Sequence, residues 1–214
     1  MTADGADDRR EERARLVDRL RRQGRVDDER VLDAIAAVPR HEFVPEGRRD
    51  AAYHDTPLPI GAGQTISAPH MVAVMADLLE LRPGDEVLEI GTGCGYHAAV
   101  TAELVGAESV YSVEYHDELA TEARDRLADL GYEGVSVRAG DGREGWPDHA
   151  PYDRAYLTCA TAELPDAVVE QVRPGGYVLA PVGTGRQTLV RARRRADGTL
   201  EREDHGAVRF VEMQ

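Results

Sequence analysis

From Glu86 to Val182 the chain alternates between short apolar runs and helical stretches, and no other feature limits its fold as tightly. Glu86–Ile90, Ser109–Glu114, Val135–Arg138, Arg154–Thr158 and Gly176–Val182 read as strands, with helical patterns over about 95–105, 116–130 and 165–172. A strand that is apolar at successive positions has both faces covered. The helices of crossover connections are what cover them, so such strands run parallel. Thr188–Val190 and Val208–Val211, either side of an Asp197-Gly198 turn, read as two antiparallel edge strands. The expectation is an α/β fold, a doubly wound, mostly parallel, Rossmann-like sheet of seven strands.

Upstream the pattern is different. Residues 8–23 carry Leu16, Val17 and Leu20 at helical spacing, and a second short helix is expected over 28–37, stopped by Pro39. A third is expected over 71–81. From Pro39 to Pro69, both included, there are five prolines and three glycines with little periodicity. Long irregular segments of that kind inside compact domains often carry function. The organisation expected is a small N-terminal helical lobe with a substrate loop, residues 1–80, packed on a core of residues 81–214 as one structural domain.

Twenty-six basic against forty acidic side chains give a formal charge of −14. Nucleic acid and anionic membrane surfaces are polyanions that such a chain repels, so neither is an expected partner. Every basic residue is Arg. At molar salt the Debye length is about 3 Å, so a dense acidic surface repels itself little there, and a halophilic cytoplasm suits this composition. No apolar run approaches the roughly 18 residues of a spanning helix. The start, Met1 to Asp8, lacks the basic and apolar regions of a signal peptide, so a cytoplasmic location is expected. A monomer is the oligomeric state expected. Cys94 and Cys159 stand far apart, and the histidines lack metal-ligand spacing, so no metal is expected.

The most chemical stretch is Glu89-Ile90-Gly91-Thr92-Gly93-Cys94-Gly95-Tyr96, a Gly-rich turn between a strand and a helix. A dinucleotide fingerprint would place Gly where Tyr96 stands. Glu89 suits a cationic ligand better than a pyrophosphate. Glu114 closes the next strand, where a carboxylate can accept hydrogen bonds from ribose hydroxyls. Asp141, in Gly140-Asp141-Gly142, follows the third strand and is placed to meet an adenine edge. Each position alone has a plainer reading, since tight turns need glycine and carboxylates at strand ends often cap helices. Three at successive strand ends read as S-adenosylmethionine binding in a class I methyltransferase.

Pro57-Leu58-Pro59-Ile60-Gly61-Ala62-Gly63-Gln64-Thr65-Ile66-Ser67-Ala68-Pro69-His70-Met71 resembles the signature of the protein-L-isoaspartate (D-aspartate) O-methyltransferases. Val38-Pro39-Arg40, Phe43-Val44-Pro45, Gly91 to Tyr96, Gly140-Asp141-Gly142, Ala150-Pro151-Tyr152-Asp153, Arg173-Pro174-Gly175-Gly176 and Pro181-Val182-Gly183 extend the resemblance over residues 26–211. It implies methyl transfer from S-adenosylmethionine, leaving S-adenosylhomocysteine, to the free carboxylate of L-isoaspartyl and by extension D-aspartyl residues in damaged proteins. Repair then follows through a succinimide. A carboxylate with a pKa near 4 is ionised at neutral pH, so positioning and water exclusion suffice and no strong base is needed.

By that resemblance Ser67 is the active-site serine, with Thr65, Ile66 and Ala68 lining the same cleft and Pro181, Val182 and Gly183 a substrate-contacting turn. Glu89, Gly91, Thr92, Gly93, Gly95, Glu114, Tyr115, Asp141, Gly142 and His70 are the implied cofactor contacts. Two stretches depart from the pattern. Thr158-Cys159-Ala160-Thr161-Ala162-Glu163 replaces an Ala-rich run, and Glu212-Met213-Gln214 replaces a Pro-Leu and further tail, which is expected to leave the cofactor site more open. The first alternative within enzymes is a methyltransferase acting on another carboxylate or on RNA; Thr158-Cys159-Ala160 is not the Asn/Asp-Pro-Pro-aromatic element used on base amines, and the net charge also disfavours RNA. A non-catalytic module that binds isoaspartyl sites is the competing reading of another class. A pyridine-nucleotide dehydrogenase fits poorly with Glu89 and Tyr96.

Overall fold

A computed structural model describes residues 4–214. The N-terminal part opens with α1 (Asp4–Gln23) and α2 (Glu29–Ala37), the second capped by Asp28, whose carboxylate accepts from the Arg30 amide at 2.9 Å. Two short 3₁₀ helices, Arg40–Phe43 and Glu46–Ala51, lead to a hairpin of β1 (Leu58–Gly61) and β2 (Gln64–Ile66), then to α3 (Pro69–Leu78). The segment expected to be irregular therefore contains paired strands. Their turn at Ala62-Gly63 takes positive φ at both residues, the hairpin geometry that matches strand twist. Two prolines and a three-residue strand left too little alternation to show it.

The remaining chain contains β3 (Val87–Ile90), α4 (Tyr96–Val105), β4 (Val110–Glu114), α5 (Asp117–Asp129), β5 (Ser136–Ala139) and β6 (Tyr152–Leu157). It ends with α6 (Asp166–Gln171), β7 (Val172–Val182), β8 (Gln187–Arg194) and β9 (Leu200–Val208). One seven-stranded sheet runs β5-β4-β3-β6-β7-β8-β9. Its first five strands are parallel and its last two pairings antiparallel, as expected from the sequence. Two of the boundaries differ. β7 begins at Val172 inside the expected helix end, because Pro174-Gly175-Gly176 masks a strand. β9 occupies 200–208 and not 208–211. Its residues are exposed on both faces, so backbone pairing with β8 holds it and no apolar alternation marks it.

Every residue of β3 and β6 is buried. Val87 and Glu89 face α4, while Leu88 and Ile90 face the other side. α4 is buried nearly all round because α2 packs on the side turned from the sheet. Leu20, Ile35, Val72, Met75, Val100 and Leu179 accordingly share one apolar cluster, so N-terminal residues and sheet have a common core. The chain leaves β3 for β4 and β5 on one side, then returns to β6 on the other. That reversal opens a crevice at the carboxyl ends of β3, β4 and β6, where open α/β sheets bind their ligands.

Candidate functional site

The turn from Gly91 to Gly95 is tied down on three sides. Glu114 accepts from the Gly93 amide at 2.8 Å and from the His116 amide at 3.0 Å, joining the turn to the end of β4. Thr158 Oγ1 donates to the Gly91 carbonyl at 2.5 Å, joining it to the end of β6. The third tie is a buried polar chain. Thr92 Oγ1 meets Ser112 Oγ at 2.5 Å, Ser112 Oγ meets Glu89 Oε2, and Glu89 Oε1 accepts from Tyr156 at 2.9 Å. Gly91 has φ +96°, and a Cβ there would strike Thr158 Oγ1. The last constraint is spatial: a side chain at Gly142 would strike Ile90, so backbone closes directly on the end of β3.

In front of this turn lies a solvent-connected cavity. Of the expected cofactor contacts, Gly91, Thr92, Gly93, Glu114, Tyr115 and Gly142 line it, joined by Thr65, Ile66 and Ser67 from the segment around β2. An adjoining cleft is lined by Thr65, Ser67, Ala68, His70, Thr158 and Val211 among others. Thr65, Ser67, Thr158 and Val211 therefore stand on the wall between the two spaces.

Several expected contacts are elsewhere. Glu89 is fully buried behind the turn and touches neither space, because it points to the α4 face. Burial pushes its carboxyl up to about 8, which disfavours the charged form that the sequence suggested as a countercharge. Gly95 is buried against Leu127 as the N-cap of α4. Asp141 caps the 3₁₀ turn at Gly142–Glu144, and its hydrogen bonds with Arg143 hold its pKa below the usual carboxylate range. His70 lies in the second cleft and not in the first. Its Nδ1 and its backbone amide both meet Asp55 Oδ1 at 2.9 Å. Pro181, Val182 and Gly183 line neither space. Pro181 O accepts from the Thr161 amide at 3.0 Å and the Gly183 amide donates to Thr161 O at 2.8 Å, so this turn braces the 158–163 loop.

Three features escaped the sequence reading. Arg40 is completely buried, and its guanidinium donates to the carbonyls of Ala52, Thr56 at 3.2 Å and Ser67 at 3.0 Å. Burial pulls its pKa down, yet the five-donor fork ties the 52–56 stretch to the Ser67 backbone. Nothing in a lone Arg after Pro39 signals burial. Residues 211–214 line the first cavity, and Ala160 bonds Val211 O at 2.7 Å and the Met213 amide at 2.8 Å. The altered tail thus forms a wall of the site, where a more open one was expected. The third feature is His97, buried at the first turn of α4 beside the cavity. Among the described residues no group of His, Cys, Asp and Glu is arranged to hold a metal, and no helix is long and apolar enough to cross a membrane.

The profile of the family described as Protein-L-isoaspartate(D-aspartate) O-methyltransferase (PCMT) matches residues 11–214. The chain is 51% identical over 205 residues to a protein of Archaeoglobus fulgidus named Protein-L-isoaspartate O-methyltransferase 2, covering 95% of this chain and 93% of that one. It is 50% identical over 207 residues to the Protein-L-isoaspartate O-methyltransferase of Methanopyrus kandleri, covering 95% and 92%. A solved protein-L-isoaspartate O-methyltransferase superposes with TM-score 0.85 at 31% identity over 94% of this chain, which spans 65% of that chain's length. A Plasmodium falciparum structure, titled as a putative protein-L-isoaspartate O-methyltransferase in complex with S-adenosyl-L-homocysteine, superposes with TM-score 0.82 at 23% identity, which speaks for the fold; the match covers 94% of this chain and 98% of that one.

Proposed function

The chain belongs to the protein-L-isoaspartate(D-aspartate) O-methyltransferase family, and from that premise we infer that it methylates the free carboxylate of L-isoaspartyl, and by extension D-aspartyl, residues in damaged proteins. Bound S-adenosylmethionine supplies an electrophilic sulfonium methyl group. The residues present fit that cofactor. Glu114 offers a carboxylate on the cavity wall whose oxygens retain lone pairs for ribose hydroxyls beside the two amides they already hold. Gly91 and Gly142 line the cavity with bare backbone, at positions where a Cβ would clash with Thr158 and Ile90 behind them.

The observation that carries the reading is the shared wall. Ser67 and Thr65 border both the cofactor cavity and the adjoining cleft, so a carboxylate entering the cleft meets the cofactor there. The accepting carboxylate is ionised at neutral pH, so these residues need only orient it and keep water out. Ser67 donates its hydroxyl to the carboxylate, while Arg40, through the Ser67 carbonyl, fixes where that hydroxyl sits. The methyl ester is a better electrophile than the carboxylate: the following backbone amide nitrogen attacks its carbonyl carbon, the amide proton leaves with the methoxy group as methanol, and water reopens the resulting succinimide partly to aspartate.

The test is transfer of labelled methyl, in molar KCl, to an isoaspartyl peptide and its aspartyl twin. Base-labile label on the isoaspartyl peptide alone is expected; label on both, or on neither while the cofactor binds, refutes the substrate assignment. Ser67→Ala should lower turnover on that peptide and leave S-adenosylhomocysteine affinity unchanged. The finer reading is a halophilic, cytoplasmic monomer that does not act on nucleic acid. The −14 charge and the lack of Lys support the halophilic part and the absence of a nucleic-acid substrate, and sedimentation in molar KCl checks the monomer.

A further inference from the structure

Two side chains beside the cofactor cavity carry buried polar atoms without a partner, Tyr96 and His97. The Tyr96 ring packs edge-on to Phe43 and lies under the Arg40 guanidinium, which turns it toward the N-terminal helices. His97 differs, because neither of its ring nitrogens has a hydrogen-bond partner. Its ring lies 4.5 Å from that of Tyr156, and only 6% of the residue is exposed. A buried donor and acceptor left unmade cost more than a hydrogen bond earns, so native structures rarely keep them without a ligand or water to receive them. Burial pushes the imidazole down to about 3, so it stays neutral and offers one N–H and one lone pair.

The position says which part of the cofactor meets it. Glu114, Tyr115 and Gly142 gather at the ends of β4 and β5, the nucleoside side of the cavity. Ser67 marks where the methyl group must face the acceptor cleft. What remains for the α4 side is the amino-acid arm attached to the same sulfur, a carboxylate and an ammonium. Those groups are one acceptor and one donor, matching the two unused nitrogens, and the positive end of the α4 dipole favours the carboxylate there. We propose that His97 is a binding residue for the amino-acid end of S-adenosylmethionine, a role that rests on the cofactor reading above.

Calorimetric titration separates this from a packing role. Two ligands are used: S-adenosylhomocysteine, which keeps the amino-acid arm, and 5′-methylthioadenosine, which lacks it. His97→Phe keeps a ring against Tyr156 and deletes both nitrogens; His97→Leu does so without the ring, and His97→Gln restores a donor and an acceptor. In both apolar variants S-adenosylhomocysteine should bind about ten- to a hundredfold more weakly, the loss of a hydrogen bond to a charged group. 5′-Methylthioadenosine should bind as in the unsubstituted protein, and His97→Gln should recover part of the loss. Equal loss for both ligands would mean that the ring only shapes the cavity, and no loss for either would mean that water satisfies it; each overturns the proposal. Failure of the unsubstituted protein to bind S-adenosylhomocysteine would instead overturn the cofactor reading.

Discussion

Replacing Glu89 by Gln removes one ionisable proton from the middle of the Thr92–Ser112–Glu89–Tyr156 chain while keeping the shape of a neutral carboxyl. In the unfolded chain Glu89 loses its proton near 4.5, and in the folded protein near 8. Between those values the unfolded state binds fewer protons, so the native carboxyl costs stability as pH rises, by about 1.4 kcal/mol per pH unit. The cost is absent below 4.5, reaches about 3 kcal/mol at pH 7, and levels off at about 5 kcal/mol above 8. The amide of the variant does not titrate and carries no such cost. The stability difference between Glu89→Gln and the unsubstituted protein should therefore climb steadily from about pH 5 to pH 8, read by urea unfolding at constant KCl with other titrating groups cancelling. Parallel stability curves across that range would refute the argument.

The same variant decides what the carboxyl does for the site. A neutral Glu89, accepting from Tyr156 on Oε1, donates its proton from Oε2 to Ser112, and the amide of Glu89→Gln can donate in its place. S-Adenosylmethionine carries a sulfonium charge that S-adenosylhomocysteine lacks. The ratio of their affinities should be the same in both proteins if Glu89 is neutral and serves only to hold the turn. A selective loss of S-adenosylmethionine binding in Glu89→Gln would show an ionised carboxylate acting on the cofactor.

Glu114→Ala leaves the Gly93 and His116 amides without their acceptor, and S-adenosylhomocysteine should bind more weakly by about 1–3 kcal/mol in calorimetry; unchanged affinity would sink the ribose assignment. Arg40→Met strands the carbonyls of Ala52, Thr56 and Ser67, so the KM for isoaspartyl peptide should rise several-fold with cofactor affinity nearly intact, alongside a lower melting temperature. Arg40→Lys, a point charge in place of a fork, should recover stability only in part. The melting temperature should climb between dilute buffer and molar KCl as the net charge of −14 is screened, and a flat profile would remove the case for a halophilic protein.

What could be read from the sequence is what is periodic or conformationally forced. β3 and β6 announce themselves because every residue is buried, and the Gly91 turn because its backbone needs glycine and a close neighbour allows no Cβ. Glu114 stands out because chemistry and spacing pick out the end of a strand, and Ser67 because the residues around it resemble a family signature. Glu89 has the same spacing argument behind it, and the structure turns its side chain to the other side of the turn. A residue on a strand can face either way, and the alternation that decides it is invisible in a strand buried on both faces. Arg40 and His97 are hidden for a related reason. A charged or polar side chain buried by residues distant in sequence leaves no local trace, since the partners at 52, 56 and 67 for Arg40 and at 156 for His97 are brought to it only by the tertiary fold. The polar groups hardest to see in the sequence are thus the ones whose burial depends on long-range packing. That packing also sets their protonation state, so the charge of a site assigned from sequence spacing alone has to be settled by where each carboxyl is buried.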